Sequence, residues 1–80
     1  MCMSGQDRAV EREMQDILGD FERFQQAKVA APQHYWEIWE RCCYDIAVGR
    51  DVAENNSRLK DLAKVMAYRA AAENIERVTR

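Results

Sequence analysis

The chain has few of the residues that interrupt regular structure: its 80 residues include one proline and three glycines. With 48% hydrophobic and 32% charged residues, it has the composition of a folded helical protein, which excludes the disordered and fibrous classes. No uncharged run approaches the roughly 18 residues of a membrane span. The opening residues, MCMSGQDR, lack the apolar core of a signal peptide. We therefore expect no membrane contact and a cytoplasmic location.

Residues that bind metals or act as nucleophiles are also scarce. Cys2, Cys42 and Cys43 form neither a C-x-x-C pair nor a zinc-like spacing. His34, the one histidine, has no cysteine or carboxylate at ligand spacing, which favours a solvated turn residue. A Gly-rich phosphate loop and a nucleophile elbow are both missing from the sequence. The sequence predicts no cofactor, no metal and no catalytic activity.

The adjacent cysteines, Cys42 and Cys43, permit two interpretations. On a helix their side chains point about 100° apart, with Cα atoms closer than disulfide geometry prefers, so a bond between them is not expected. We favour two small buried hydrophobic residues. The alternative is a redox-active or metal-sensing thiol pair.

The stretch from His34 to Val48, HYWEIWERCCYDIAV, is the most apolar helical pattern in the chain. At about 100° per residue its apolar side chains cover roughly 180° of a helix. Because an ordinary surface helix has an apolar stripe only about 100° wide, this arc predicts a middle helix covered by more than one neighbour. Trp36 and Trp39 are its largest apolar side chains, and we expect both to be buried.

A long first helix is predicted over residues 6–30, after a flexible tail at residues 1–5. Its seam repeats at spacings of 4, 3, 4, 3 and 4 through Val10, Met14, Ile17, Phe21, Phe24 and Lys28. Pro32 ends this helix and suits the first turn of the next, predicted over 33–48. So short a connection makes the two helices antiparallel neighbours.

A third helix is predicted over residues 51–79. Gly49 suits a helix C-cap, and Asp51 followed by Glu54 resembles a capping box. A restart at Arg58, after the weak helix formers at 55–57, is the alternative start. The predicted fold is therefore one all-α domain, a three-helix antiparallel bundle with long first and third helices. A chain this short buries only about 60–65% of its unfolded surface, so we expect it to dimerise.

The third helix changes its apolar face near Met66. Before that residue, the apolar side chains share one arc; beyond it they cluster on nearly the opposite side, at Tyr68, Ala71, Ala72, Ile75 and Val78. One straight helix cannot turn both faces into one small core. The sequence therefore predicts that these five residues bind a partner, either a second copy or another protein.

Charge is unevenly distributed along the chain. Residues 1–57 carry 6 basic against 11 acidic side chains, a net charge of −5, and residues 58–80 carry 6 against 3, a net charge of +3. A basic last helix, through Arg69, Arg77 and Arg80, could contact phosphates, and nucleic-acid association is the alternative function. We favour a solvated helix surface instead, because the spacings Arg69–Glu73, Glu73–Arg77 and Glu76–Arg80 allow ion pairing there.

An acidic line on the first helix, formed by Glu13, Asp16 and Asp20, is a candidate contact face for a basic partner, although most such lines are solvated surface. No motif is specific enough to name a family. From small size, acidic balance and the change of face, we expect a non-catalytic protein-interaction module. It would act as a homodimer with an unidentified protein partner, as a regulator or inhibitor of a larger complex.

Overall fold

The computed structural model describes the backbone of residues 5–79, in which all regular structure is α-helical. Four helices follow one another: α1 Gly5–Leu18, α2 Phe21–Ala30, α3 Gln33–Ala47 and α4 Val52–Thr79. The prediction of an all-α bundle is confirmed, but the predicted number of three helices was wrong, because residues 5–79 form four. The tail predicted at residues 1–5 lies outside the described residues except for Gly5, which begins α1.

The predicted first helix over 6–30 is divided at Gly19 and Asp20. Gly19 closes the last turn of α1 by donating to the Gln15 carbonyl at 3.0 Å. Asp20 is extended (φ −123°, ψ 112°), and its carboxylate accepts from the Arg23 backbone N–H at 3.2 Å as the N-cap of α2. Glycine is a weak helix former and aspartate a strong N-cap, so local chemistry overrides a seam whose spacing continued across the break.

The other two turns confirm the sequence prediction. Ala31 is extended (ψ 154°) before Pro32, and α3 starts at the next residue. Gly49 has φ 80° and donates to Ile46, while Arg50 donates to Asp45 at 2.7 Å, the hydrogen-bond pattern of a Schellman C-cap. α4 then runs without interruption, so the alternative restart at residue 58 is excluded.

The buried side chain of Asn55 fixes the turn between α3 and α4. It is 5% exposed, and its amide nitrogen donates to the carbonyls of Arg50 and Asp51, both at 3.1 Å. Asp51 itself has a positive φ of 45°, a conformation that aspartate tolerates better than most residues. The start of α4 is therefore held by Asn55. The sequence analysis had considered this residue only as a weak helix former.

α4, rather than α3, is the central helix. Its 28 residues span about 42 Å, which accounts for most of the 45 Å long axis of the molecule, and it contacts all three other helices. Its two apolar faces are covered by different neighbours. α3, which a short turn joins to α4, packs on one face, and α1 packs against the second half of α4. The main core joins α1, α2 and α4 and contains Val10, Met14, Ile17, Ala27, Ala67 and Ala71.

The aromatic arc of α3 is covered less than predicted. Cys42 is the one buried residue of this helix, and Trp36 and Trp39 are half-buried. α4 covers the centre of the arc, and α2 touches it where Phe24 lies 5.8 Å from the Trp39 ring centroid. The arc does meet two neighbours, but Tyr44 remains 65% exposed.

Candidate functional site

The five residues predicted to bind a partner have different environments. Ala71 is 0% exposed and belongs to the main core, so in this fold it is not on the surface. Ala72 and Ile75 are half-buried and pack against that core. Tyr68 is 51% exposed and Val78 is 81% exposed. Beyond Met66, the second apolar face of α4 is therefore covered largely by α1 of the same chain. The predicted partner face loses its central residue, Ala71, to the core.

A narrower apolar surface remains on α4, and it includes a residue that the sequence analysis missed. Val65, three residues before Tyr68, is 42% exposed. Together these residues follow spacings of 3, 4 and 3, the interval at which residues line one side of a helix. We call the α4 stripe the four residues Val65, Tyr68, Ala72 and Ile75. Extending the periodicity backwards from Tyr68 would have found its first member.

The α4 stripe points away from the sides of α4 that face α3 and α1, but it is only partly uncovered. Ala72 and Ile75 pack against the main core, and Tyr68 and Ala72 line an open hollow between α2 and α4. At about 100° per residue, the stripe lies about 120° around the helix from Leu62 and Met66, the buried residues on the side of α3. It lies about 100° from Ala67 and Ala71, which pack on α1. Three sides of α4 are thus distinguished, and the third carries exposed apolar side chains.

The acidic line predicted on the first helix, Glu13, Asp16 and Asp20, makes contacts within the chain. Glu13 forms an ion pair with Arg23 at 2.8 Å, and Asp20 caps α2. The hydrogen bond that Arg23 donates to the Glu13 carboxylate raises the pKa of Arg23 above its ordinary value, against the opposing effect of burial, and the charges of Glu13, Asp16 and Asp20 raise it further. Glu13 and Asp20 therefore each accept a hydrogen bond from Arg23 of the same molecule, and contact with a basic partner stays a prediction.

The arginines of α4 make contacts other than those expected from their spacing. Arg69 lies over the Tyr35 ring with its guanidinium carbon 5.8 Å from the centroid, a cation–π contact between α4 and α3. Arg77 donates to the side-chain oxygen of Asn74 at 2.9 Å. Among the ion pairs of residues 5–79, neither arginine pairs with Glu73. Arg80, and with it the predicted Glu76–Arg80 pair, lies outside the described residues.

An open hollow of about 530 Å³ lies between α2 and the second half of α4. Apolar residues, including Ala27 and Met66, line part of it, and Arg23, Glu73 and Arg77 contribute charged groups. Among the described residues that line it there is no Cys, His, Ser, Thr or Lys side chain. Tyr68 and Ala72 of the α4 stripe also line it, so the hollow offers apolar, aromatic and charged contacts.

The predictions for the cysteines and the histidine are confirmed in part. Cys42 is buried, as predicted, whereas Cys43 is exposed, and both are free thiols. Cys2 is outside the described part of the chain. His34 is exposed and lies against Tyr35, with ring centroids 4.3 Å apart. Within residues 5–79, no group of three or more His, Cys, Asp or Glu side chains is placed to hold a metal ion.

Comparison with protein-family models, with curated proteins and with solved structures gives no match for this chain. None of the four described helices combines the length and the apolar character needed to cross a membrane. The candidate site is therefore defined by the geometry of the chain alone, and the α4 stripe is its best-defined surface.

Proposed function

We propose that this chain is a non-catalytic protein-interaction module that acts as a homodimer and regulates or inhibits a larger complex. The observation that carries the proposal is the α4 stripe. Nine large hydrophobic side chains among the described residues are substantially exposed. Two of them, Val65 and Tyr68, lie one turn apart on the central helix and continue into the half-buried Ala72 and Ile75. Single exposed hydrophobic residues need no explanation, but a continuous apolar strip on one helix is typical of an interaction surface.

The shape of the chain supports the same function. Its radius of gyration is 14.2 Å, against about 11.6 Å for a compact domain of this length. An elongated fold with a main core at one half leaves more surface uncovered than a sphere would. Burial of that surface against a second chain would compensate for the small core of the monomer.

Nucleic-acid association is the weaker candidate, because Arg69 is engaged by the Tyr35 ring and Arg77 by the side chain of Asn74. Binding to nucleic acid that falls steeply with added salt would favour that candidate instead.

Sedimentation equilibrium of the full chain tests the proposed homodimer. Over concentrations from ~1 μM to ~1 mM, which span weak to moderate affinities, we expect the average mass to rise from that of the 9.4 kDa monomer toward twice that value. A mass that stays at the monomer value throughout would contradict the proposed function.

A further inference from the structure

The helix α3 packs outside the main core. The core residues, and the half-buried side chains that pack on them, all belong to α1, α2 and α4. α3 buries a single residue, Cys42, which is 1% exposed. Leu62 and Met66 of α4 are buried as well, and neither belongs to the main core. α3 therefore forms a second, smaller packing contact beside the main core.

Few polar contacts hold α3 on its neighbours. Within residues 5–79, no side chain of α3 forms a hydrogen bond or an ion pair with another helix. Two cations of neighbouring helices instead lie over its aromatic rings: Lys28 of α2 is 5.1 Å from the Trp39 ring centroid, and Arg69 of α4 lies over the Tyr35 ring. Cation–π contacts at partly exposed positions stabilise weakly. The attachment of α3 thus depends mainly on its small apolar contact with α4.

The indole nitrogen of Trp36 weakens that attachment. Nε1 is buried, and among the described residues it has no hydrogen-bond partner. A buried donor without an acceptor is unfavourable, because it has given up hydrogen bonds to water and gained none in return. Trp36 as a whole is only half-buried, so a modest movement of α3 would bring the N–H to solvent.

We propose that α3 opens as a unit: it separates from α4 while α1, α2 and α4 stay packed in the main core. The open form exposes Cys42 of α3 together with Leu62 and Met66 of α4, and it returns the Trp36 N–H to water. Opening of a weakly attached element requires less free energy than unfolding of the whole chain. The closed α3 therefore covers apolar surface that only the open form offers to another molecule.

The buried thiol of Cys42 reports the opening. Cys2→Ser and Cys43→Ser together leave Cys42 as the one cysteine of the chain. A chromogenic aromatic disulfide reacts with a buried thiol only in forms that expose it, so the labelling rate in low urea measures opening. Circular dichroism of the same variant measures global unfolding over the full urea range.

Opening of α3 predicts that Cys42 is labelled at least about tenfold faster than global unfolding allows. It also predicts a urea dependence less than about half that of global unfolding, because this dependence scales with the surface exposed. The helix α3 comprises only 15 of the 80 residues. A labelling rate that follows global unfolding, both in size and in urea dependence, would overturn the proposal.

A thiol in the main core is the matched control. Ala67→Cys is combined with Cys2→Ser, Cys42→Ala and Cys43→Ser, and Met14→Cys in the same background is a second core probe. Ala67 is 0% exposed and Met14 is 8% exposed. Labelling of either core thiol is expected to follow the global unfolding of its own variant. Labelling of the core thiols that is as fast as that of Cys42, relative to global unfolding, would show that the opening is not confined to α3.

The contribution of the Trp36 N–H is tested by an isosteric replacement. Benzothienylalanine, introduced by chemical synthesis, keeps the two-ring shape of tryptophan and lacks the N–H. At Trp36 it is expected to slow the labelling of Cys42 at least about fivefold, because it removes the buried donor that favours opening. The same replacement at Trp39, also half-buried, should change the rate less than about twofold. Equal effects at the two positions would overturn the part assigned to this N–H.

Discussion

Arg23 donates a hydrogen bond from Nη2 to Oε1 of Glu13 at 2.8 Å, and this ion pair connects α1 and α2 across the break at Gly19 and Asp20. The side chains are 37% and 21% exposed, so solvent screens part of their attraction. The ion pair adds to the main core, which already joins α1, α2 and α4.

A double-mutant cycle of Glu13→Gln and Arg23→Gln measures that connection. For a partly exposed pair we expect a coupling free energy of about 0.5–1 kcal/mol in urea unfolding. The coupling should decrease in 1 M salt, where charges are screened beyond about 3 Å. A coupling of zero at low salt would show that the pair does not hold the two helices.

The break between α1 and α2 makes opposite predictions for two residues of one predicted seam. Ile17 is 2% exposed and Phe21 is 77% exposed. Ile17→Ala should lower the free energy of unfolding by about 2–5 kcal/mol. Phe21→Ala should change it by less than about 0.5 kcal/mol. A single straight helix over 6–30 would make the two losses similar, and chemical denaturation of both variants decides.

Two glycines at helix ends should respond differently to alanine. Gly49 has φ 80°, where an L side chain is strained, and Gly49→Ala should destabilise the chain by about 1 kcal/mol. At Gly19 an added Cβ would meet the Gln15 carbonyl oxygen at 3.5 Å, an ordinary contact. Gly19→Ala should therefore be neutral or stabilise by up to about 1 kcal/mol. Thermal unfolding of the two variants measures both effects. Equal losses of stability would contradict the expected difference.

Asn55 and Asn56 form a second matched pair. Asn55 is buried and donates to two turn carbonyls, whereas Asn56 is exposed. Asn55→Ala should lower the free energy of unfolding by about 1–3 kcal/mol. Asn56→Ala should be neutral or slightly favourable, because alanine is the better helix former. Amide exchange at residues 50–55 should accelerate only in the Asn55 variant, and equal acceleration in both would oppose the assigned role.

Local chemistry predicted much of the fold. Pro32 and Gly49 gave two turns correctly, because each residue restricts or permits a particular backbone conformation in any context. The break at Gly19 also had a local signal, a glycine followed by an aspartate that suits an N-cap. The sequence analysis missed it because the apolar spacing from Ile17 to Phe21 continues across the break. In the structure Phe21 is exposed, so this spacing did not mark a continuous buried seam.

The identity of the central helix could not be read from periodicity. The wide apolar arc of α3 predicted a middle position, yet α4 makes the contacts with all the other helices. Which helix becomes central depends on packing between distant segments, such as the core that Ile17 shares with Ala67 and Ala71, and such packing carries no local signal. The same dependence placed Ala71 in the core instead of on the predicted partner face.

The proposed homodimer is tested most directly by isotope-filtered NMR on a mixture of ¹³C-labelled and unlabelled chains at high concentration. We expect intermolecular contacts to Val65 and to the Tyr68 ring, the two exposed residues of the α4 stripe. Intermolecular contacts confined to other surfaces, such as the exposed Tyr44 of α3, would contradict the α4 stripe as the contact surface.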